Sequence, residues 1–301
     1  MSDGTPKLTA ELIVDGAVPR NPVISPDGRW VAYAVAALGV TEPPLSALWV
    51  AAADGSSPPR ELTAGAPRDC VPRWAPDSAS LFLGAGQQLQ RIGLDGATAG
   101  ALTSWQGGIS DLWPLAGGQV VAVVAVDEPT EEDERRHADR DDAMVWGERL
   151  PYGRLRLLDL GTGGLRVVDG LGDRHVVEVA QRPDGGPLAV ISWACPDVYP
   201  GAATAELHVV DPQTGAAHGL GQLELEARSL AWWSVDGGWH LAYLAVTPPA
   251  SVGGLAVFDL TVPATGAAAE HRNPDRRPDR LPDPPGAGCG RHAPGPVRRR
   301  A

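Results

Sequence analysis

The chain has 301 residues, 43% of them hydrophobic and 21% charged, which supplies enough apolar material for a sizeable core and excludes a generally disordered protein. Through Glu270 there are 17 basic and 34 acidic residues, whereas His271 to Ala301 hold eight Arg and three Asp. An acidic body repels phosphate backbones, so nucleic-acid binding by the folded part is excluded.

The first 24 residues lack a basic segment followed by an apolar stretch and a small-residue cleavage site, so no secretory signal is visible. No apolar run of 18 residues suggests a membrane span. Cys70, Cys195 and Cys289 are far apart and odd in number, which fits a reducing compartment better than a disulfide framework. The expected location is the cytoplasm, with no membrane partner.

In chain order, an apolar segment at Leu8 to Val14 precedes a turn and strand, S-P-D-G-R-W-V-A-Y, at Ser25 to Tyr33. A hairpin follows at Leu48 to Thr63, L-W-V-A-A-A-D-G then R-E-L-T. The turn and strand return as A-P-D-S-A-S-L-F-L at Ala75 to Leu83, and the hairpin as L-Q-R-I-G-L-D-G with A-L-T at Leu89 to Thr103. Leu115 to Val124 is a degenerate copy of the first signal. The stretch Asp127 to Tyr152 is dense in Asp, Glu and Arg and predicts a solvated loop or short surface helix, with Glu131 and Arg135, or Glu132 and Arg136, as i,i+4 pairs. The alternation resumes with a hairpin at Leu155 to Val168, a turn and strand at Arg182 to Ile191, and a hairpin at Leu207 to Gly215. A weaker turn follows at Ser234 to Tyr243, then a half-hairpin at Leu255 to Leu260. After about Thr261 the pattern stops, and the last 31 residues, with seven Pro and eight Arg, predict a disordered tail.

Each P-D-G unit is a tight turn between antiparallel strands, with Pro fixing φ and Gly accepting a positive φ. The strand behind it is apolar on both faces, as expected of a sheet sandwiched between other sheets. Asp54, Asp95, Asp159, Asp211 and Asp259 stand at the hairpin turns, 41, 64, 52 and 48 residues apart, and the long interval contains the charged insertion. Near-constant recurrence at this period predicts an all-β fold, a β-propeller of four-stranded antiparallel blades. About five blades are recognisable, the last without an outer strand. Residues 1–265 form the propeller in this division and 266–301 the tail. Leu8 to Val14 could complete the last blade and close the ring, although an open form is preferred.

Candidate chemistry is sparse. The histidines His137, His175, His208, His218, His240, His271 and His292 show no H-x-x-x-H or H-E-x-x-H pairing, so no metal or other cofactor is expected. The D-G turns do not complete a calcium-loop ligand series and are read as turn formers. Trp30, Trp49, Trp74, Trp113, Trp193, Trp232 and Trp239 fall on or beside predicted strands, where packing between blades outweighs a ligand-lining role. Cys70 and Cys195 have no identifiable base nearby and are expected to be inert. The charged insertion is expected to be a solvated surface insert, with a partner-docking loop as the alternative.

The alternation of S-P-D-G-R-W-V-A-Y turns with L-W-V-x-x-x-D-G hairpins resembles the amino-terminal propeller of prolyl-oligopeptidase-family serine peptidases, in the acylaminoacyl-peptidase and dipeptidyl-peptidase-like branch. The resemblance runs from about Leu8 to Leu260. The opening L-T-A-E-L-I-V-D-G and the W-G-E-R-L-P-Y-G-R-L-R-L-L-D-L at Trp146 to Leu160 favour that branch over TolB-like propellers, which share the S-P-D-G turn. It implies a propeller that caps an α/β-hydrolase domain and filters peptides by size. That family has seven blades, and here no G-x-S-x-G elbow follows. No catalytic residue is therefore assigned, and the chain looks like a truncated or frame-shifted reading of a longer one, inactive alone. The expected partners are peptides, if a hydrolase domain is joined to it. The alternative is a stand-alone TolB-like scaffold for protein partners.

Overall fold

The computed structural model describes residues 9–10, 16–37, 45–67, 71–85, 88–141, 150–246, 255–262 and 271–272. Its strands form five four-stranded sheets, each a meander in chain order. The first holds β1 (Ala17–Ile24), β2 (Trp30–Ala37), β3 (Leu45–Ala52) and β4 (Arg60–Pro67). The second holds β5 (Arg73–Trp74), β6 (Ser80–Ala85), β7 (Gln88–Gly93) and β8 (Thr98–Ala99). The third is β9 (Ile109–Pro114), β10 (Val120–Val126), β11 (Gly153–Asp159) and β12 (Leu165–Val167). The fourth is β13 (His175–Gln181), β14 (Leu188–Trp193), β15 (Glu206–Val210) and β16 (Ala217–Gln222). The fifth is β17 (Arg228–Val235), β18 (Gly238–Val246), β19 (Leu255–Thr261) and β20 (His271–Arg272). This is a β-propeller fold of four-stranded blades, and no described helix is long and apolar enough to cross a membrane.

The chain divides into two compact units, Met1–Ala125 with Arg156–Arg166, and Val126–Leu155 with Val167–Ala301. In the first unit, Ala32, Ala34, Leu48 and Val50 of the first sheet bury against Trp74, Leu81, Leu83 and Ile92 of the second. The opposite face of the second sheet, through Phe82 and Leu89, packs on Val121, Val123 and Leu158 of the third. In the second unit, Ile191 and Leu207 of the fourth sheet meet Trp232, Leu241, Tyr243 and Phe258 of the fifth. The predicted two-faced burial holds for the second strands of the middle sheets: β10 is buried at five consecutive positions and β14 at five.

Four of the first turns share one geometry. In each, the residue opening the turn (Ser25, Ala75, Leu115 or Arg182) accepts at its carbonyl from the N–H three residues on, and donates its own N–H to the carbonyl five residues on. The residue three positions on adopts a left-handed φ: Gly28 at 72°, Gly118 at 69°, Gly185 at 83°, and Ser78 at 59° where glycine would be easier. The turn carboxylates then cap the next N–H groups, Asp27 on Arg29, Asp77 on Ala79 and Asp184 on Gly186, at 2.9–3.0 Å. The fifth copy differs. Val235 pairs directly with Gly238, and Asp236 and Gly237 both have positive φ, a two-residue hairpin turn suited to the twist of its strands.

The hairpin aspartates behave as expected at four positions. Asp54, Asp95, Asp159 and Asp211 each accept a backbone N–H two residues on. Asp259 does not: it lies inside β19, opposite Ala242, and corrects the prediction of a fifth turn. No glycine follows it to supply a positive φ, so the strand runs on. The fifth sheet, expected to lack an outer strand, has a short one, with Asp259 opposite Arg272 and Leu260 opposite His271. A two-residue ladder needs only backbone groups, which is why no apolar pattern announces it. Apart from that pair, the predicted tail and most of Leu8 to Val14 lie outside the described residues.

The inner strands carry a repeat with no counterpart in the sequence pattern. The ladders slip by one residue between Arg20 and Val23, at Ser110, at Val177, and between Arg228 and Ala231. These β-bulges sit four to six residues ahead of the residue that opens the turn and bend each strand locally. Neighbouring inner strands are also tied by indole donors: Trp74 Nε1 to the Val23 carbonyl at 3.0 Å, and Trp232 Nε1 to the Ala180 carbonyl at 2.9 Å. Both rings are buried, at 7% and 9% exposure. Replacing Trp74 or Trp232 by Phe keeps most of the apolar ring and strands the carbonyl. Each substitution is expected to cost about 1–2 kcal/mol, read as a lower urea midpoint at unchanged slope.

Candidate functional site

A cluster of polar and aromatic side chains in the second unit stands at the base of the charged insertion. The insertion leaves β10 at Asp127 and returns at Tyr152, where the Asp127 N–H donates to the Tyr152 carbonyl at 2.8 Å. Between them lies a surface helix, α1 (Glu131–Ala138), with no buried residue. It forms because the local chemistry agrees at both ends: Thr130 and Asp133 make a reciprocal capping box, acidic residues fill the first turn and basic ones the last. Of the two predicted i,i+4 pairs, Glu132 and Arg136 meet at 3.8 Å.

Arg154, second residue of β11, binds the insertion down. Its Nε and Nη2 donate to the two Asp127 oxygens, both at 3.1 Å, and its Nη1 lies 2.9 Å from Asp173. The Tyr152 ring covers the guanidinium at 4.4 Å, and its hydroxyl donates to the Ala194 carbonyl at 3.1 Å. His175 receives the Gly153 N–H on Nδ1 at 2.9 Å, so Nδ1 is unprotonated there. Burial, and after it the Arg154 charge, holds the imidazole below its ordinary pKa. Trp193 pairs with His175 across the ladder, its ring 6.1 Å away. Its other side is closed by Gly201, where an added Cβ would come within 2.6 Å of the Cys195 carbonyl and 3.0 Å of the indole.

A second network runs over the fourth sheet. Arg174 donates to the Ser192 hydroxyl at 2.8 Å and pairs with Glu206 at 3.3 Å. Glu206 lies 3.6 Å from buried His208, whose pKa is lowered chiefly by burial and next by Arg174. On the fifth sheet His240 Nδ1 stands 3.2 Å from Asp259 Oδ2, and Trp233 Nε1 donates to Asp259 Oδ1 at 2.9 Å. Sequence reasoning assigned none of these three groupings, because their members are far apart in the chain. In the first unit an open polar depression of about 530 Å³ is lined by Pro76, Asp77, Arg91 and Gly117 to Gln119.

These groups are largely committed to one another. Arg154 uses all three guanidinium nitrogens, and Ser192 accepts from the Arg174 guanidinium. Among the described residues no three His, Cys, Asp or Glu side chains come together as a metal site. The turn aspartates are engaged by their own turns: Ser25 and Arg29 lower Asp27 to about 2, and Asp54, Asp159 and Asp184 are lowered in the same direction by the hydrogen bonds of their turns. The predicted tryptophans divide. Trp74 and Trp232 join sheets, Trp113 lies under Arg73 at 5.7 Å, and Trp239 under Arg182 at 5.1 Å.

No protein-family model matches the chain, and no curated protein does. Solved structures match at low identity. A puromycin hydrolase mutant complexed with PGG is 20% identical, with a TM-score of 0.56 over 86% of this chain and 38% of its own. TolB from Acinetobacter baumannii is 14% identical, with a TM-score of 0.53 over 85% of this chain and 53% of that one. The β-propeller domain of Cps50 (Swd1) from Myceliophteria thermophila is 12% identical, with a TM-score of 0.54 over 89% of this chain and 72% of that one. The likeness is one of fold. The chain spans about half of the TolB and well under half of the hydrolase.

The two depressed imidazoles set a pH dependence. Above their ordinary value near 6.5, His175 and His208 are neutral in both folded and unfolded chains. As pH falls through that value the unfolded chain takes up protons that the folded one refuses, so stability drops until the folded pKa values are passed. Denaturant midpoints are expected to fall between pH 7 and pH 5. In the double variant His175→Asn and His208→Gln the decline over that range should flatten.

Proposed function

We propose that this chain is the noncatalytic propeller portion of a prolyl-oligopeptidase-type serine peptidase of the acylaminoacyl-peptidase and dipeptidyl-peptidase-like branch, working in the cytoplasm. It filters peptides by size and forms one wall of the chamber in which an α/β-hydrolase domain cleaves them. The observation that carries this reading is the pairing of coverages: 86% of the chain matches the puromycin hydrolase, yet it accounts for only 38% of that protein. The opening L-T-A-E-L-I-V-D-G and the charged insertion leading into W-G-E-R-L-P-Y-G-R-L-R-L-L-D-L support the same branch.

A second reading, a stand-alone TolB-like scaffold for protein partners, is favoured by the TolB match and by helix α1, which buries none of its residues. The two readings separate at the gene. The coding sequence beyond the Thr261 codon, read in all three frames, is expected to contain further strand repeats and a G-x-S-x-G elbow. Their absence from every frame would decide for the scaffold. The purified chain should show no covalent labelling by a fluorophosphonate probe. Labelling at one serine, lost when that serine becomes alanine, would reveal a nucleophile and overturn the noncatalytic role.

A further inference from the structure

The turns of the first, second and fourth sheets each hold a carboxylate in the same way. Asp27, Asp77 and Asp184 accept the N–H two residues on, and each also accepts from a guanidinium. Arg29 Nε reaches Asp27 at 2.7 Å, Arg182 Nε reaches Asp184 at 2.8 Å, and Arg91 Nη2 reaches Asp77 at 3.4 Å. A backbone donor and a guanidinium together make a charge-assisted carboxylate site.

The third turn keeps the frame and lacks the carboxylate. Leu115 accepts from the Gly118 N–H at 3.0 Å and donates to the Val120 carbonyl at 2.9 Å, as Ser25, Ala75 and Arg182 do in their turns. Gly117, however, stands where the others have aspartate. The Gln119 N–H, counterpart of the capped groups of Arg29, Ala79 and Gly186, meets no acceptor among the described residues. An added Cβ at Gly117 or Gly118 would touch nothing within 4 Å, so the approach to that N–H is open.

The depression of about 530 Å³ joins Gly117, Gly118 and Gln119 to Asp77 and Arg91 of the second sheet. Arg91 has the loosest of the three aspartate pairs. Its Nε donates to the Ser80 hydroxyl at 2.7 Å, and its Cζ lies 5.4 Å from the centre of the Phe82 ring, so the guanidinium is held in place. Its Nη1 makes no hydrogen bond among the described residues. The two kinds of donor that hold a carboxylate in the other turns therefore line one depression, and neither Gly117 nor Gly118 puts a side chain between them.

We infer that this depression binds a carboxylate from outside the chain, carried by a small molecule or by the end of a peptide, with the Gln119 N–H and Arg91 as its donors. Asp77 restricts what enters. A phosphoryl group, at about −1.5 to −2 near pH 7, meets more repulsion there than one guanidinium offsets, whereas a single carboxylate does not. The net charge of −12 opposes any anion at long range, so the affinity is modest, about millimolar.

An amide-detected NMR titration of the full chain at pH 7 tests the site with N-acetylglycine and acetyl-Ala-Ala-Ala-Ala, and with the C-terminal amide of each as control. Both carboxylates are expected to move the Gln119 amide proton downfield and the Arg91 Nε–H with it, saturating at about millimolar concentration; the amides should not. Equal affinities would assign the site to free carboxylates, and about tenfold tighter binding of the tetrapeptide would assign it to peptide ends. Arg91→Gln should raise the dissociation constant at least about fivefold. Gly117→Asp supplies the carboxylate from within, so its Gln119 amide should start near the bound position and the titration should vanish. Gly117 has φ 91° and none of the three aspartates is left-handed, so that variant must flip one peptide; Arg91→Gln carries the test if the flip unfolds the turn. The inference is overturned if Gln119 stays unmoved at about 50 mM carboxylate, or if the amides or sodium chloride at equal ionic strength move it as far. Binding unchanged by Arg91→Gln, or by a folded Gly117→Asp, overturns it as well.

Discussion

The bond from an indole N–H to the inner-strand carbonyl of the preceding sheet sets how neighbouring sheets meet. Apolar faces such as those of β6, β10 and β14 attract without direction, and two of them can slide past each other at little cost. Trp74 on Val23 and Trp232 on Ala180 remove that freedom, because a buried N–H is satisfied at only one offset. Trp74 ends β5 just before its turn, so there the lock also places the turn. Asp27 and Ser78 make the consequence visible: the Asp27 N–H donates to the Ser78 hydroxyl at 3.1 Å, joining adjacent turns.

The bulges belong to the same constraint. In β17 the extra residue turns Ser229 into a left-handed conformation, φ 58°, which costs about 1–2 kcal/mol for a residue with a side chain. It also points two consecutive N–H groups out of the ladder. Glu178 on the preceding inner strand takes both, from Ser229 and Leu230, at 2.8 Å each. Hydrogen bonds to a carboxylate are the strong kind, so one side chain both offsets the strain and fastens two sheets. The bulge and its acceptor stabilise one another, and neither is advantageous alone.

Whatever rests on neighbours in sequence was legible. The S-P-D-G turns, the hairpin aspartates and helix α1 follow from contacts within about five residues, where residue type alone decides between conformations. Asp259 misled because a strand aspartate followed by leucine looks like the other hairpin aspartates until one asks where a positive φ comes from, and its partners Trp233 and His240 are 26 and 19 residues away. The bulges at Asn21, Ser110, Val177 and Ser229 fall on an Asn, a Val and two Ser, with no one residue type to mark them in a pattern. The Arg154 clamp was invisible for a related reason: its carboxylates lie 27 residues before it and 19 after, in segments that read as ordinary surface.

That clamp bears on what the fold is for. Arg154, His175, Arg174 and Ser192 have the makings of an active site, yet each is held by partners that leave little capacity for an incoming substrate. A frame that spends its polar side chains on itself gains definition between sheets. Its remaining assets are shape and exposed surface. Helix α1 projects from a base held by one guanidinium and two carboxylates, and Tyr199, 80% exposed on the loop after β14, is displayed from a segment whose Thr204 hydroxyl accepts from the Ala194 N–H and donates to the Gly201 carbonyl. Rigid attachment lowers the ordering cost of contact.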